Sequence, residues 1–466
     1  MRSKVLLSLV TVISLSFAVT AQDTPDARVQ RVLADARFGA AMAAIDRDHD
    51  RLVSEIIKLT EIPAPPFMED KRGAAYMDML RAHKLTDVER DEVGNVMGIR
   101  RGVNAAGGPL VAIVAHLDTV FPEGTDVTVK RSGTRLTAPG VGDNTRSLAV
   151  LLALLRAIDE TNIRTASDIL FVGNVGEEGL GDLRGVKYLL QKGKYKDRIE
   201  QFIAVDGTGE GTSIANGAVG SKRYRVTFKG PGGHSYGAFG LVNPAFAMGA
   251  AMQKLSGIQV PQTPKTTFNV GVVGGGTSVN SIPFETWMEV DMRSESPLEL
   301  EKLETAFLMI VRQAADDENK ARSTKEGKLV ADIKLVGDRP SGQTARTSPL
   351  VQIAVASAKA VGSTPSLVFS STDANVPISM NIPAVRLGSG GTGDRAHALE
   401  EWIDVEKSSS LKGIRALLAT LLAVADLRPS EAEPSGQARR SGAGRWGPRE
   451  RGREGVRRDE VPRTIN

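Results

Sequence analysis

The chain has 466 residues, is 41% hydrophobic and 24% charged, and carries a formal net charge of +4. That length allows two or three domains around a large core. There is no cysteine, which excludes disulfides, thiolate metal sites and a cysteine nucleophile; any metal falls to Asp, Glu and the five histidines, His49, His83, His116, His234 and His397.

Residues 1–21 read as a secretory signal, with Arg2 and Lys4 at the start, an apolar run, and small residues ending at Ala21. The run is short for a bilayer span. The expectation is an exported protein, periplasmic or secreted, cleaved near Ala21, with an uncleaved anchor as the alternative. Residues 28–60 carry a helical apolar pattern that "EIPAPPF" breaks. A second helix fits Gly73 to Leu85. "GGPLVAIVAHLDTV" predicts a buried strand from Leu110 to Ala115, and "VTVKRSGTRLTAPG" a short hairpin. "GVGDNTRSLAVLLALLRAI" opens with glycines and Asp143, then becomes a long apolar helix. A strand over Asp168 to Val175, a helix over Leu183 to Gln191 and the strand in "QFIAVDGTG" follow. Strands alternating with helices imply an α/β unit with a mostly parallel central sheet.

The texture changes near Ser221. "KRYRVTFKG" alternates like a half-exposed strand. After a helix (Pro244 to Leu255) come "TTFNVGVVGGG" and "TWMEVDMRSE", a helix (Leu298 to Ala315) and a strand (Val330 to Leu335). This is an α+β (βαββαβ) unit with one solvated sheet face. The buried α/β texture returns at Pro349. The expected domains are therefore 22–220 and 341–427 for one split unit, with 221–340 inserted. Residues 428–466 hold 10 Arg against 6 Asp and Glu, so this tail carries the whole charge excess. It has too few apolar residues to fold. The rest is near neutral, which is no nucleic-acid footprint. "GVVGGGTS" and "DGTGEG" lack the Lys-Ser/Thr of a phosphate loop and a full dinucleotide fingerprint.

The chemistry gathers at strand ends. One strand ends in His116 and Asp118, the next element opens with Asp143, the next strand ends in Glu177 and Glu178, and the next in Asp206. In a parallel α/β sheet the carboxyl ends meet at one edge, where sites form. Negative charges packed there repel unless a cation sits among them. A His/Asp/Glu set suits zinc or, less selectively, manganese or cobalt. One of the paired glutamates can be a ligand and its neighbour a general base. Residues i and i+2 at a strand end point the same way, so Asp118 can accept the second ring N–H of His116. His397, in "GSGGTGDRAH", is either a core histidine or part of a loop above the sheet. Asp143 is the natural bridge if there are two metals.

The order of "HLDT", "GVGDN", "GEEG", "VDG", "GPGGHS", "GGTSVNSIP", "DMR" and "AHALEEW" resembles the co-catalytic zinc exopeptidase family of the aminoacylases, succinyl-diaminopimelate desuccinylase, peptidase T and glutamate carboxypeptidase. The resemblance implies two zinc ions per chain, one held by His116, Asp143 and Asp206, the other by Asp143, Glu178 and His397. It implies Glu177 as the base acting on a bridging water. It makes the inserted unit a lid and dimerisation domain, and so implies a homodimer. His234 would reach the partner subunit's site and stabilise the oxyanion. Asn280 and Arg293 match positions that hold a substrate carboxylate, although Arg293 also fits a salt-bridged strand residue. Many members have Asp where this chain has Asn144.

The expected activity is hydrolysis of short peptides bearing a free carboxylate. The alternative is deacylation of N-acyl amino acids, since both reactions attack an amide. A third reading is a non-catalytic member that binds peptides or metal, against which an intact Glu177 argues.

Overall fold

The computed structural model describes residues 23–104 and 107–429. The expected signal sequence lies outside the described residues, as does the tail beyond Pro429.

The helical pattern over 28–60 divides into three helices, Pro25–Ala34, Ala36–Arg47 and His49–Thr60. Asp35 makes the first break. Its backbone is extended and its carboxylate accepts the Arg37 N–H at 2.8 Å, so it caps the second helix. Asp48 makes the second break, leaving the helical region between helices. The third helix then buries Leu52, Val53, Ile56 and Leu59, one face at helical spacing.

The central sheet runs, from one edge, Thr86–Arg90, Val96–Arg100, Asp168–Asn174, Leu110–His116, Ile199–Val205, Ala384–Leu387, Ser213–Ala218 and Gly342–Gln343, with Ser366–Ser370 also paired to Ser213–Ala218. Its four middle strands, from Asp168–Asn174 to Ala384–Leu387, are parallel to one another. The flanking pairs Thr86–Arg90 with Val96–Arg100, and Val96–Arg100 with Asp168–Asn174, are antiparallel. All residues of Leu110–His116 and Asp168–Asn174 are buried, because helices cover both sheet faces. Alternate residues serve the two sides: Val111, Ile113 and Ala115 join one core, Leu110, Ala112 and Val114 the other. The first core takes in the helices Arg146–Glu160, Pro349–Ala360 and Lys407–Val424; the second takes in Arg184–Gln191.

A second sheet, wholly antiparallel, runs Thr266–Gly275, Glu285–Ser294, Gly220–Lys229, Val330–Arg339. The helices Pro244–Ser256 and Pro297–Ala321 cover one face, with Val226, Phe228, Met288 and Val290 packed on Ala247, Ala251, Phe307 and Val311. The helix expected to end at Ala315 continues to Ala321.

The expected hairpin forms and belongs to a third, small sheet. The hairpin Lys130–Ser132 and Arg135–Thr137 extends through Trp402–Asp404 to Thr392–Asp394. It fixes the segment that carries His397 beside the loop that carries Asp143. Among the described residues no helix is long and apolar enough to cross a membrane.

Candidate metal centre

His116 ends its strand in register with Asn174, so the carboxyl ends of neighbouring parallel strands meet. The chain leaves the Asn174 end through Gly176, whose φ of 65° favours glycine, and a Cβ there would sit 2.5 Å from Arg184 Cγ. Glu177 and Glu178 follow, both buried.

Asp143 sits on the turn before the helix Arg146–Glu160. Gly140 starts that turn at φ 77°, and a Cβ there would meet Thr119 Cγ2 at 2.5 Å. Glu401 holds the turn. Its Oε1 accepts the N–H groups of Gly142 (2.7 Å) and Asp143 (2.8 Å), and its Oε2 accepts that of Gly140 (2.8 Å). Burial pushes the Glu401 carboxyl up to about 7, against the pull of these N–H groups. Asn144 adds a second tie: its amide N–H donates to the Val205 carbonyl (2.9 Å), and its amide oxygen accepts the Gly207 N–H at 3.3 Å. An aspartate here could not donate the first of these bonds. Asp143 and Asp206 are thereby held side by side.

The five expected ligands come together. His116 Nε2 lies 3.0 Å from Asp143 Oδ1 and 3.9 Å from Asp206 Oδ1. His397 Nε2 lies 3.2 Å from Asp143 Oδ2 and 3.0 Å from Glu178 Oε1. The two oxygens of Asp143 thus face two different imidazoles. Ligand atoms of His116, Asp143 and Asp206 all lie within 4.8 Å of one another, as do those of Asp143, Glu178 and His397. A third such group is His116, Glu177 and Glu178.

The electrostatics are those of a cation site. The hydrogen bonds from His397 to Asp143 and Glu178 raise its imidazole to about 10. Burial works against the charge on His116, yet the nearby carboxylates of Asp118 and Asp143 lift it well above the usual histidine range. Burial works against the charge on Asp143 too, but the two imidazoles hold its carboxyl below the usual aspartate range. An environment that favours positive charge on both imidazoles equally favours metal ions in their place. Asp143 Oδ1 is buried without a hydrogen bond of good geometry. The donors are nitrogen and oxygen only, which fits zinc, cobalt or manganese.

Asp118 is fully buried, but its carboxylate is used differently from the expectation. His116 Nδ1 lies 3.0 Å from the Asp118 backbone carbonyl and 3.6 Å from its carboxylate. The carboxylate instead accepts the backbone N–H groups of Glu177 (3.0 Å) and Glu178 (2.8 Å).

Three neighbours of the cluster were not singled out from the sequence, although Glu401 lies in the motif "AHALEEW". Arg339, at the end of the strand Val330–Arg339, sits 3.1 Å from Glu177 Oε1 and donates to the Glu177 carbonyl. Burial pushes the Glu177 carboxyl well above the usual glutamate range, against the pull of this guanidinium. Asp373 accepts both bonds of the Asn174 amide at 2.9 Å, and burial raises its carboxyl to about 7. Glu401 is the third.

The candidate residues of the second unit stand apart from the cluster. His234 pairs with Ser281 in a two-stranded ladder. Its Nδ1 accepts the N–H groups of Tyr236 (3.2 Å) and Gly237 (3.3 Å), which leaves the neutral ring's proton on Nε2 as a donor. The Asn280 carbonyl accepts the Ser235 N–H at 2.9 Å, so His234 and Asn280 are neighbours. Arg293 donates from Nε to Asp291 Oδ2 at 2.7 Å. Among the described residues, no hydrogen bond or ion pair joins these three to the metal ligands.

Solved structures share the fold. The aminopeptidase PepT of Bacillus cereus ATCC 10987 is 21% identical over 81% of this chain and 99% of its own, with a TM-score of 0.64. A tripeptidase of Staphylococcus aureus subsp. aureus Mu50 is 21% identical over 81% of this chain and 98% of its own, with a TM-score of 0.65. The Bacillus subtilis YXEP protein, described as a dinuclear metal binding peptidase from the M20 family, is 18% identical over 81% and 99%, with a TM-score of 0.58. No curated protein matches the chain. The profile of peptidase family M20/M25/M40 matches residues 112–423, and the chain belongs to that family of metal-dependent hydrolases.

Proposed function

We propose that this chain is an exported dinuclear-zinc exopeptidase that hydrolyses amide bonds of short peptides bearing a free carboxylate. The observation that carries this is Asp143, with one oxygen toward His116 and the other toward His397. Each histidine has a further carboxylate neighbour, Asp206 and Glu178. His116, Asp143 and Asp206 would hold one ion, and Asp143, Glu178 and His397 the other. Bound zinc supplies an acidified water and polarises the scissile carbonyl.

The protein's own groups do the rest. Glu177 is the base: it takes the proton from the attacking water and passes it to the leaving amine. Its environment suits that task, because a carboxyl raised by burial binds a proton more readily than a solvated one. Arg339 fixes its orientation. His234, with its proton on Nε2, is the donor for the oxyanion. A cleft of about 370 Å³, lined by Asp143, Asp206, Thr208, Arg386 and Trp402, opens beside the cluster and is of a size for a short peptide. The tripeptidase and aminopeptidase among the similar folds favour this substrate class.

Export rests on the signal-like residues 1–21. A homodimer through the second sheet is part of the same proposal. The edge strand Thr266–Gly275 exposes Val272 and Val273, and Tyr236, Phe239 and Val279 are exposed on loops of the same unit.

The test is hydrolysis of a panel of di- and tripeptides and N-acetyl amino acids by the zinc-loaded protein, with fragments read by mass spectrometry. Cleavage of tripeptides that chelator abolishes is the expected result. Cleavage of the acetylated compounds alone would make the protein a deacylase. No cleavage with zinc bound would leave a binding protein.

A further inference from the structure

Arg386 lies in the strand Ala384–Leu387, inside the central sheet. Its companions on that strand, Ala384, Val385 and Leu387, are buried and apolar. Its register neighbours on either side are Ala204 and Ala215. A charge at such a position costs desolvation energy unless something answers it. Among the described residues Asp206 acts on it only through space, without a hydrogen bond or ion pair. No carboxylate lies within ion-pairing distance, and Nε is buried with no hydrogen-bond partner. The guanidinium instead lines the cleft with Asp206, Thr208 and Ser371. It lies so close over Gly207 that a Cβ there would sit 3.2 Å from Nη2.

The other arginines of this region are committed. Arg339 is paired with Glu177 at 3.1 Å, and Arg395 with Glu400 at 3.0 Å. Arg293, on the second sheet, donates to Asp291. Among the described residues lining the cleft, Arg386 is the cation without an ion-pair partner, left for an incoming anion. Two divalent ions would more than cancel the charges of Asp143, Glu178 and Asp206, so the field at Arg386 in the loaded site favours an anion still more.

We propose that Arg386 receives the free carboxylate of the substrate and sets the preference for carboxylate-bearing ligands over amidated ones. The inference rests on the exopeptidase reading of the same cleft and names the side chain that recognises the substrate's charge. The planar guanidinium fork matches a carboxylate, and Nε is one of the donors of a two-pronged bond. A merely structural Arg386 would act as the countercharge of Asp206. Its loss would then weaken metal binding and affect charged and neutral ligands alike.

The experiment is calorimetric binding of trialanine and its C-terminal amide to the zinc-loaded Glu177→Ala chain, which does not turn the peptides over. We expect the carboxylate form to bind about 10- to 100-fold tighter than the amide, the range of a charged hydrogen bond. Adding Arg386→Met should collapse that ratio to near one at unchanged zinc content, and Arg386→Lys should restore part of it. A ratio that survives Arg386→Met, an equal loss for both peptides, or a parent that binds neither would each overturn the proposal. Absence of hydrolysis by the unmutated protein would sink the exopeptidase reading alone, because the affinity ratio is measured without turnover.

Discussion

The carboxylate of Asp118 accepts the backbone N–H of Glu178 at 2.8 Å, beneath the candidate metal ligands. The same carboxylate takes the N–H of Glu177, so one buried side chain orients both glutamates through their backbones. Asp118→Ala removes a charged acceptor and strands two buried donors, each worth about 1–3 kcal/mol. Zinc affinity should fall about 10- to 100-fold, read by competition with a chelator. Asp118→Asn keeps one acceptor oxygen and should lose less. Equal, unaltered affinity in both variants would remove this role.

Glu177→Ala should lower kcat by at least about 10²- to 10⁴-fold while two zinc ions stay bound. Metal content and turnover measured on one preparation separate the two effects. Near-normal turnover would remove Glu177 as the base. Glu178→Ala, by contrast, should lose metal.

Arg339→Met leaves the Glu177 carboxylate buried without its cation. Breaking a buried pair costs about 3–5 kcal/mol, so the melting temperature should drop. Burial already raises the Glu177 carboxyl, and Arg339 opposes that. Its removal should therefore move the acidic limb of the kcat/KM profile to higher pH. A limb that stays in place would show that Arg339 does not tune the base.

Glu401→Ala releases the three N–H groups of Gly140, Gly142 and Asp143. Asp143 then loses its fixed position between the two histidines. Weaker zinc binding should accompany a loss of stability, and Glu401→Gln, which keeps an acceptor, should recover part of both. Binding as tight as in the unmutated chain would contradict the clamp.

Histidine titration gives the metal-stripped protein a pH signature. An unfolded histidine titrates near about 6.5, and the folded His397 is raised to about 10 by its bonds to Asp143 and Glu178. A raised value means stability that is full below the unfolded pKa and lost as pH rises toward the folded one. The melting temperature of the stripped protein should fall between about pH 6.5 and 10, and His397→Asn should flatten that fall. Zinc-loaded protein should behave oppositely, since ligation requires neutral imidazole and its gain grows with pH. A stripped protein insensitive to pH over this range would refute the pairing.

The sequence by itself determined three buried central strands, Leu110–His116, Asp168–Asn174 and Ile199–Val205, with the residues at their carboxyl ends, and the four strands of the second sheet, but not Thr86–Arg90, Val96–Arg100, Ser213–Ala218, Ser366–Ser370 or Ala384–Leu387. His116, Asp118, Glu177, Glu178 and Asp206 were legible because each follows an apolar strand, and parallel strands bring such ends together whatever the loops do. The split of residues 28–60 at Asp35 and Asp48 was missed because apolar spacing continues through a cap.

Tertiary structure alone decided which distant groups serve that edge. Glu401 clamps a turn some 260 residues earlier, Arg339 reaches Glu177 from another sheet, and Arg386 faces the cleft from a strand of apolar neighbours. The small sheet that places His397 beside Asp143 joins segments equally far apart. No local periodicity encodes such meetings. They arise from how the layers pack, and only that packing leaves a buried carboxylate or guanidinium one partner within reach.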